Sequence, residues 1–168
     1  MSLPIVIWPD DVLDKPTKTV TDFDALPPLI EQMDAAMKAA EGIGIAANQV
    51  GVALRLALVG REDGTWFEIV NPEMLSKEEP IVLSEGCLSV PGEWKDVKRF
   101  RKVKVRYQDR TGAWQELEAE NKLAHVLQHE IDHLDGTVYV QHLSSLSRSL
   151  IRQKMLKRKK KASRGGGE

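Results

Sequence analysis

The sequence predicts an α+β fold in which mixed or antiparallel β-sheets pack around a central metal-binding helix, with one helix near the N-terminus and a basic helix at the C-terminus. Three observations predict it. Apolar residues recur at helical spacing in separate stretches; between these stretches lie several short runs rich in strand-forming residues; and one helix carries an H-E-x-x-H string within Gln128-His129-Glu130-Ile131-Asp132-His133.

The elements follow in order. Leu26-Pro27-Pro28 opens a first helix, because proline is tolerated in a first turn and Leu29, Ile30, Met33, Ala36, Met37 and Ala40 then keep a 3.6-residue period up to Gly42. Leu54–Val59, Trp66–Val70, Ile81–Leu83 and Lys102–Tyr107 read as strands, the last alternating with period two. Asp109-Arg110-Thr111-Gly112 is a turn that joins this strand to Trp114–Ala119 as a hairpin, and the metal helix starts near Asn121. From Ser149 to Lys161, Leu150, Ile151, Met155 and Leu156 stand among bases, which predicts a short helix before a disordered Ser163-Arg164-Gly165-Gly166-Gly167-Glu168.

A chain of 168 residues with 42% hydrophobic content suffices for one domain with a sizeable core. We expect the catalytic body to span residues 1–147 and a basic helix and tail to span 148–168. No apolar run approaches ~20 residues, so a membrane-spanning helix is excluded, and no solenoid or propeller period is visible. The net charge of −1 hides a division: 148–168 holds nine Lys/Arg and one acid, a net +8, while the body holds 15 bases and 24 acids, a net −9.

On a helix, positions i and i+4 differ by about 40° and sit ~6 Å apart, so His129 and His133 can reach one metal ion. Glu130 lies about 100° from His129, off the metal yet near enough to take a proton from an activated water. Such strings also arise by chance, and many helices carry a His pair that merely solvates. The flanks decide: Leu123, Ala124, Val126, Leu127, Ile131 and Leu134 make a helix buried on most faces. Unpaired burial of a charge costs several kcal/mol, and a coordinated cation resolves it.

A catalytic tetrahedral site needs a third protein ligand. The metzincin pattern would place a histidine at position 139, which is Tyr139, and the glutamate expected some twenty residues downstream is absent from the basic tail, so the protease families fit poorly. His125, His142 and the only cysteine, Cys87, remain. A single cysteine forms no internal disulfide, and Met1-Ser2-Leu3-Pro4 opens no secretory signal, so we expect a reducing cytoplasm and an available thiol. Gly86 permits close backbone approach, and Gly86-Cys87-Leu88 between Ile81–Leu83 and the Pro91-Gly92 turn suits a residue presented at a strand end. The stretch from Gly42 to Gly51 is too rich in small residues for ordinary core. It lacks the lysine of a phosphate loop and the G-x-G-x-x-G spacing, and it reads as backbone lining a cleft that pairs with an extended peptide, with Gln49 as a side-chain donor.

Together Gly42-Ile43-Gly44-Ile45-Ala46-Ala47-Asn48-Gln49, Glu85-Gly86-Cys87-Leu88-Ser89 and Gln128-His129-Glu130-Ile131-Asp132-His133 resemble the three signatures of the peptide deformylases, in the same order. The resemblance runs from Ile7-Trp8-Pro9-Asp10 and Leu13 to about Leu143. It implies Cys87, His129 and His133 as metal ligands and Glu130 as the residue that deprotonates water and returns the proton to the departing amine. It also implies the Gln49 side chain and the Leu88 N–H as donors to the developing oxyanion. Ile43, Gly44, Gly86, His125 and Val126 match substrate positions, with the peptide added as a β-strand and methionine in an apolar pocket. His125 reads as a packed or rim residue rather than a ligand.

The implied reaction removes the formyl group from the N-terminal formylmethionine of new polypeptides and releases formate. One divalent metal ion is implied, iron(II) in the cell, with zinc, nickel or cobalt suiting the same donors. The implied partners are formyl-Met nascent peptides and, through the basic C-terminal segment, the ribosome; no membrane or DNA partner is expected. The sequence departs from the family at Trp94, often arginine, and at Lys98, often proline, while Arg99 matches and is expected to pair with Glu85. The rival readings are a general H-E-x-x-H endopeptidase, which needs another third ligand, and a catalytically silent ribosome-associated module, which has no use for an intact reagent set.

Overall fold

The computed structural model describes residues 3–165, with backbone alone for 164 and 165. Among the described residues, three α-helices and one five-stranded antiparallel sheet in the order β1-β2-β3-β4-β5 make an α+β architecture. The strands are β1 (Gly44–Ala46), β2 (Leu56–Gly60), β3 (Trp66–Cys87), β4 (Val90–Gln108) and β5 (Trp114–Glu120). The helices are α1 (Leu26–Ala39), α2 (Asn121–Leu134) and α3 (Ser145–Gly165).

Helix α1 forms where the period requires it. Leu26, Ile30, Met33, Ala36 and Met37 are buried along one face, Pro27 and Pro28 occupy the first turn, and the chain leaves through Glu41 at φ 55°. This face packs on Ile45, Ala47, Leu56, Leu58 and Val70 as one apolar cluster. On the other side of the sheet, Ala124, Val126, Leu127, Ile131 and Leu134 of α2 pack against Ala57, Val59, Ile69, Val103 and Val105. The strand residues therefore alternate between α1 and α2, and α2 crosses β1, β2, β4 and β5 as the buried central helix.

The stretches Trp66–Val70 and Ile81–Leu83, which read as separate strands, belong to one strand of 22 residues. The polar run between them conceals it, because both faces are open to water there and apolar alternation is absent. Charge pairs across the ladder take its place, with Glu73 on Arg106 and Glu79 on Arg101. A bulge after Val70 accommodates Asn71, at φ 51°, and Pro72, and a second after Met74 takes up Leu75. Strand β4 likewise extends well before Lys102, so that β3 and β4 form a long hairpin whose two-residue turn, Leu88-Ser89, lies at the Cys87 end.

The C-terminal helix is longer than its apolar spacing indicates. It begins at Ser145, Ile151 and Met155 bury into a third cluster with Trp8, Leu13, Val97 and Tyr139, and Lys154 pairs with Glu93 at 2.9 Å. The helix continues through Ser163, Arg164 and Gly165, which corrects the expectation of disorder there: once Ile151 and Met155 anchor the first turns, each added residue gains a backbone hydrogen bond. Gly166, Gly167 and Glu168 lie outside the described residues.

Candidate metal centre and active site

Helix α2 presents His129 and His133 one turn apart, and the end of β3 brings Cys87 to meet them. Cys87 Sγ lies 3.2 Å from His133 Nε2, and His133 Nε2 lies 3.1 Å from His129 Nε2. The three donor atoms all fall within 4.8 Å of one another. Tetrahedral coordination at ordinary metal–nitrogen and metal–sulfur lengths separates donors by roughly 3.3–3.6 Å, so this cluster fits a single metal ion.

The other sites considered for a third ligand are occupied differently. The His125 ring faces Glu85 Oε1 at 2.6 Å, and the His142 ring faces Asp132 Oδ2 at 3.0 Å, on the outer side of α2. Tyr139 is buried with its ring 6.4 Å from that of His129, and its hydroxyl donates to the Glu93 carbonyl.

Proton placement agrees with the fit. His129 Nδ1 donates to Glu85 Oε2 at 2.6 Å, which leaves the Nε2 lone pair aimed at the cluster. Burial opposes a charge on His129, but the Cys87 sulfur and Glu85 outweigh it and raise the pKa well above its usual value. Burial, then the neighbouring His129, holds His133 well below its own. Two imidazoles that cannot both be charged, facing one sulfur, are suited to share a cation instead of a proton.

Glu85 organises the second layer. Its carboxylate accepts from Arg99 Nε at 2.8 Å and Nη2 at 2.6 Å, as expected for that pair, and also meets both His125 and His129. Arg99 extends to Asp132 Oδ2 at 2.5 Å, tying the cysteine strand to the metal helix. Burial alone would raise the Glu85 pKa, but the hydrogen bonds from Arg99, His125 and His129 hold it far below 4.5.

A folded carboxylate that stays ionised while its unfolded counterpart protonates near 4.5 contributes stability that is complete above about pH 4.5 and lost as the pH falls. We expect Glu85→Gln to cost about 3–5 kcal/mol at neutral pH, because Arg99 is left buried with one partner, and to flatten the acid limb of melting temperature against pH. Equal slopes below pH 4.5 in the two proteins would remove Glu85 from the acid response.

Glu130 is 2% exposed, and its Oε1 has no hydrogen-bond partner among the described residues. Burial pushes its pKa up to about 7. A carboxyl group poised near neutrality, with an unengaged oxygen, is equipped to exchange a proton with a reactant. Gly44 makes room for it: a Cβ at that position would come within 2.6 Å of Glu130 Oε2 and 3.1 Å of the Leu58 carbonyl. Gln49 Oε1 accepts from Ala46 N at 2.9 Å, which turns the Nε2 toward Ser89 Oγ at 3.1 Å and Cys87 Sγ at 3.6 Å.

A cleft of about 660 Å³ opens over these groups, lined by Ile43, Gly44, Gly86, Leu88, His125 and Val126 among others. Edge strand β1 forms one wall and the end of β3 another. Of the sequence-derived site residues, all but His133 line this cleft; His133 is fully buried behind it, in contact with Cys87 and His129. Sequence reasoning missed Asp132 as a partner of Arg99 and Glu85 as the shared acceptor of two histidines. The only signals were the position of Asp132 three residues after His129 and that of Glu85 two before Cys87.

The cluster, the buried carboxyl group and the cleft are the parts that a metal-dependent hydrolase requires. The chain belongs to the peptide deformylase family: residues 2–149 match the family described as polypeptide deformylase. It is 47% identical over 161 residues to a peptide deformylase of Desulfotalea psychrophila, covering 92% of this chain and 95% of the relative, and 44% identical over 169 residues to one of Wolinella succinogenes, covering 96% and 99%. The crystal structure of a peptide deformylase from Legionella pneumophila matches with a TM-score of 0.90 at 41% identity over 98% of this chain and 99% of that one. One from Ehrlichia chaffeensis in complex with actinonin matches with a TM-score of 0.90 at 37% identity over 94% and 98%. Metal dependence is a property of the family. Among the described residues, no helix is long and apolar enough to cross a membrane.

Proposed function

We propose that the protein hydrolyses the N-formyl group of N-terminal formylmethionine on newly made polypeptides, releasing formate, and that it does so in the cytoplasm. The observation that carries this reading is the convergence of Cys87, His129 and His133 beside a buried Glu130 carboxylate with an unengaged oxygen. Membership of the family favours deformylation over the endopeptidase and binding-module readings.

Cys87, His129 and His133 would hold one divalent ion, iron(II) in the cell with zinc, nickel or cobalt as substitutes in purified protein. When bound, the ion supplies Lewis acidity that polarises the formyl carbonyl and acidifies water. Glu130 takes a proton from the attacking water as its oxygen bonds to the formyl carbon, then delivers it to the peptide nitrogen as the C–N bond breaks. Gln49 Nε2 and the Leu88 N–H donate to the oxygen on which charge develops, each worth roughly 3 kcal/mol. Gly44 on β1 and Gly86 on β3 offer main chain to an extended peptide, and Ile43, His125 and Val126 surround the methionine side chain.

The test is formate release from formyl-Met-Ala-Ser by protein purified anaerobically with iron(II). Formate in stoichiometric yield is expected; none at full metal occupancy would overturn the reading.

In this account residues 1–147 carry the catalytic groups, and 148–168 is a basic segment that packs on them through Ile151 and Met155 and contacts the ribosome with its outer face. Support comes from Lys154, Lys157, Arg158, Lys160 and Lys161, which line one face of α3. Reversing Lys157, Arg158, Lys160 and Lys161 to glutamate spares Ile151 and Met155. It is expected to weaken ribosome cosedimentation and reduce its salt dependence, roughly 0.7–0.9 in logarithmic slope per lost phosphate contact. Unchanged cosedimentation would exclude the contact.

A further inference from the structure

Trp94 stands at the mouth of the cleft with 68% of its surface exposed, although tryptophan is ordinarily well buried. Among the described residues it belongs to no apolar cluster. It lies in the irregular start of β4, where the ladder passes from the pair Cys87↔Val90 to Glu85↔Lys95, so that residues 91–94 bow out opposite Gly86 alone.

The stretch is braced. The Glu93 carbonyl accepts from the Tyr139 hydroxyl at 3.0 Å, and the Glu93 carboxylate pairs with Lys154 of α3 at 2.9 Å. The indole in turn packs against the backbone of Gly86: a Cβ there would meet its Cδ2, Cε2 and Cε3 at 2.9–3.0 Å. One side of the ring is therefore fixed against the residue preceding Cys87, and most of the rest is offered to whatever occupies the cleft. The charged side chains nearby do not select a sign. Glu93 is neutralised by Lys154, and Glu41 and Lys122, both exposed on the lining, are of opposite charge.

We infer that Trp94 is a specificity-determining residue, a preformed aromatic wall that selects formyl-Met peptides carrying aromatic or large aliphatic side chains directly after methionine. The inference rests on the deformylase reading and names the substrate class within it. A side chain laid on a fixed ring contributes through area and ring–ring geometry, which corresponds to roughly three- to tenfold in affinity. Because the contact lies away from the bond that breaks, it acts on ground state and transition state alike and is read in KM rather than kcat.

The experiment compares formyl-Met-Phe-Ser with formyl-Met-Ala-Ser, and formyl-Met-Ala-Phe with formyl-Met-Ala-Ala, on the parent, Trp94→Ala and Trp94→Phe. Calorimetric binding of the unformylated products Met-Phe-Ser and Met-Ala-Ser is measured beside it. The parent is expected to favour formyl-Met-Phe-Ser over formyl-Met-Ala-Ser roughly three- to tenfold in KM and in product affinity; Trp94→Ala should abolish the ratio, Trp94→Phe should keep it, and a preference confined to formyl-Met-Ala-Phe overturns the inference. Equal values for phenylalanine and alanine in the parent, or a ratio that survives Trp94→Ala, overturn the inference. Product binding that shows the ratio while no peptide yields formate leaves the wall standing and overturns the deformylase reading.

Discussion

Glu130→Gln is expected to lower kcat by about 10²–10⁴-fold while the protein keeps its metal, its fold and a KM within a few-fold of the parent. The reasoning is geometric. Glutamine has nearly the shape of glutamate, so it fits the space that Gly44 leaves open, where a Cβ would stand only 2.6 Å from Glu130 Oε2. It cannot take a proton from water. The carboxylate is 2% exposed and its Oε1 is engaged by nothing among the described residues, so the substitution breaks no hydrogen bond that the fold uses. Burial also raises the pKa of this group to about 7, which an amide would not reproduce. Glu130→Asp separates basicity from placement: the carboxylate survives but retreats by one methylene, and a rate well below the parent is expected from misplacement alone. Metal analysis together with steady-state kinetics on the three proteins decides it, and a near-normal kcat for Glu130→Gln would end the general-base assignment.

The contrast between what the sequence revealed and what it concealed follows from the range of the interactions. His129, Glu130 and His133 share one helix, so their mutual placement is set by helix geometry and was legible from spacing alone. Cys87 lies some forty residues away, and although Gly86 and its strand-end setting mark the thiol as presented, nothing local selects it over His125 and His142 as the ligand. Resemblance to the family selected it, and the register of β3 on β4 and the packing of α2 on the sheet place it. Glu85 shows the same limit more sharply. Its pairing with Arg99 could be anticipated, but its contacts with His125 and His129, and the reach of Arg99 to Asp132, join β3, β4 and α2 and depend on the whole fold. Strand β3 was legible only at its apolar ends because its middle has no buried face, and the length of α3 was hidden because Ile151 and Met155 bind it to a cluster assembled from distant segments.

Cys87→Ala is expected to reduce formate release to background and to lower metal content well below one ion per chain after dialysis. With the sulfur gone, His129 and His133 alone face the ion, and two imidazoles hold a divalent metal far less tightly than three donors. No substitute is at hand: His125 is engaged with Glu85, His142 with Asp132, and the Gln49 amide nitrogen is a donor with no lone pair to offer. The loss also registers in stability, because a ligand that binds only the folded state adds about 2.7 kcal/mol at a hundredfold excess over its Kd. Metal added to the parent should therefore raise the melting temperature by several degrees, and metal added to Cys87→Ala should raise it little. Cys87→Asp restores an anionic donor of a different kind and is expected to recover metal in part. A general H-E-x-x-H endopeptidase makes the opposite prediction, since its third ligand would lie elsewhere: metal, the metal-dependent rise in melting temperature and hydrolysis would all persist in Cys87→Ala. Metal content and melting temperature thus test the ligand independently of the substrate, and formate release ties the same ligand to the reaction.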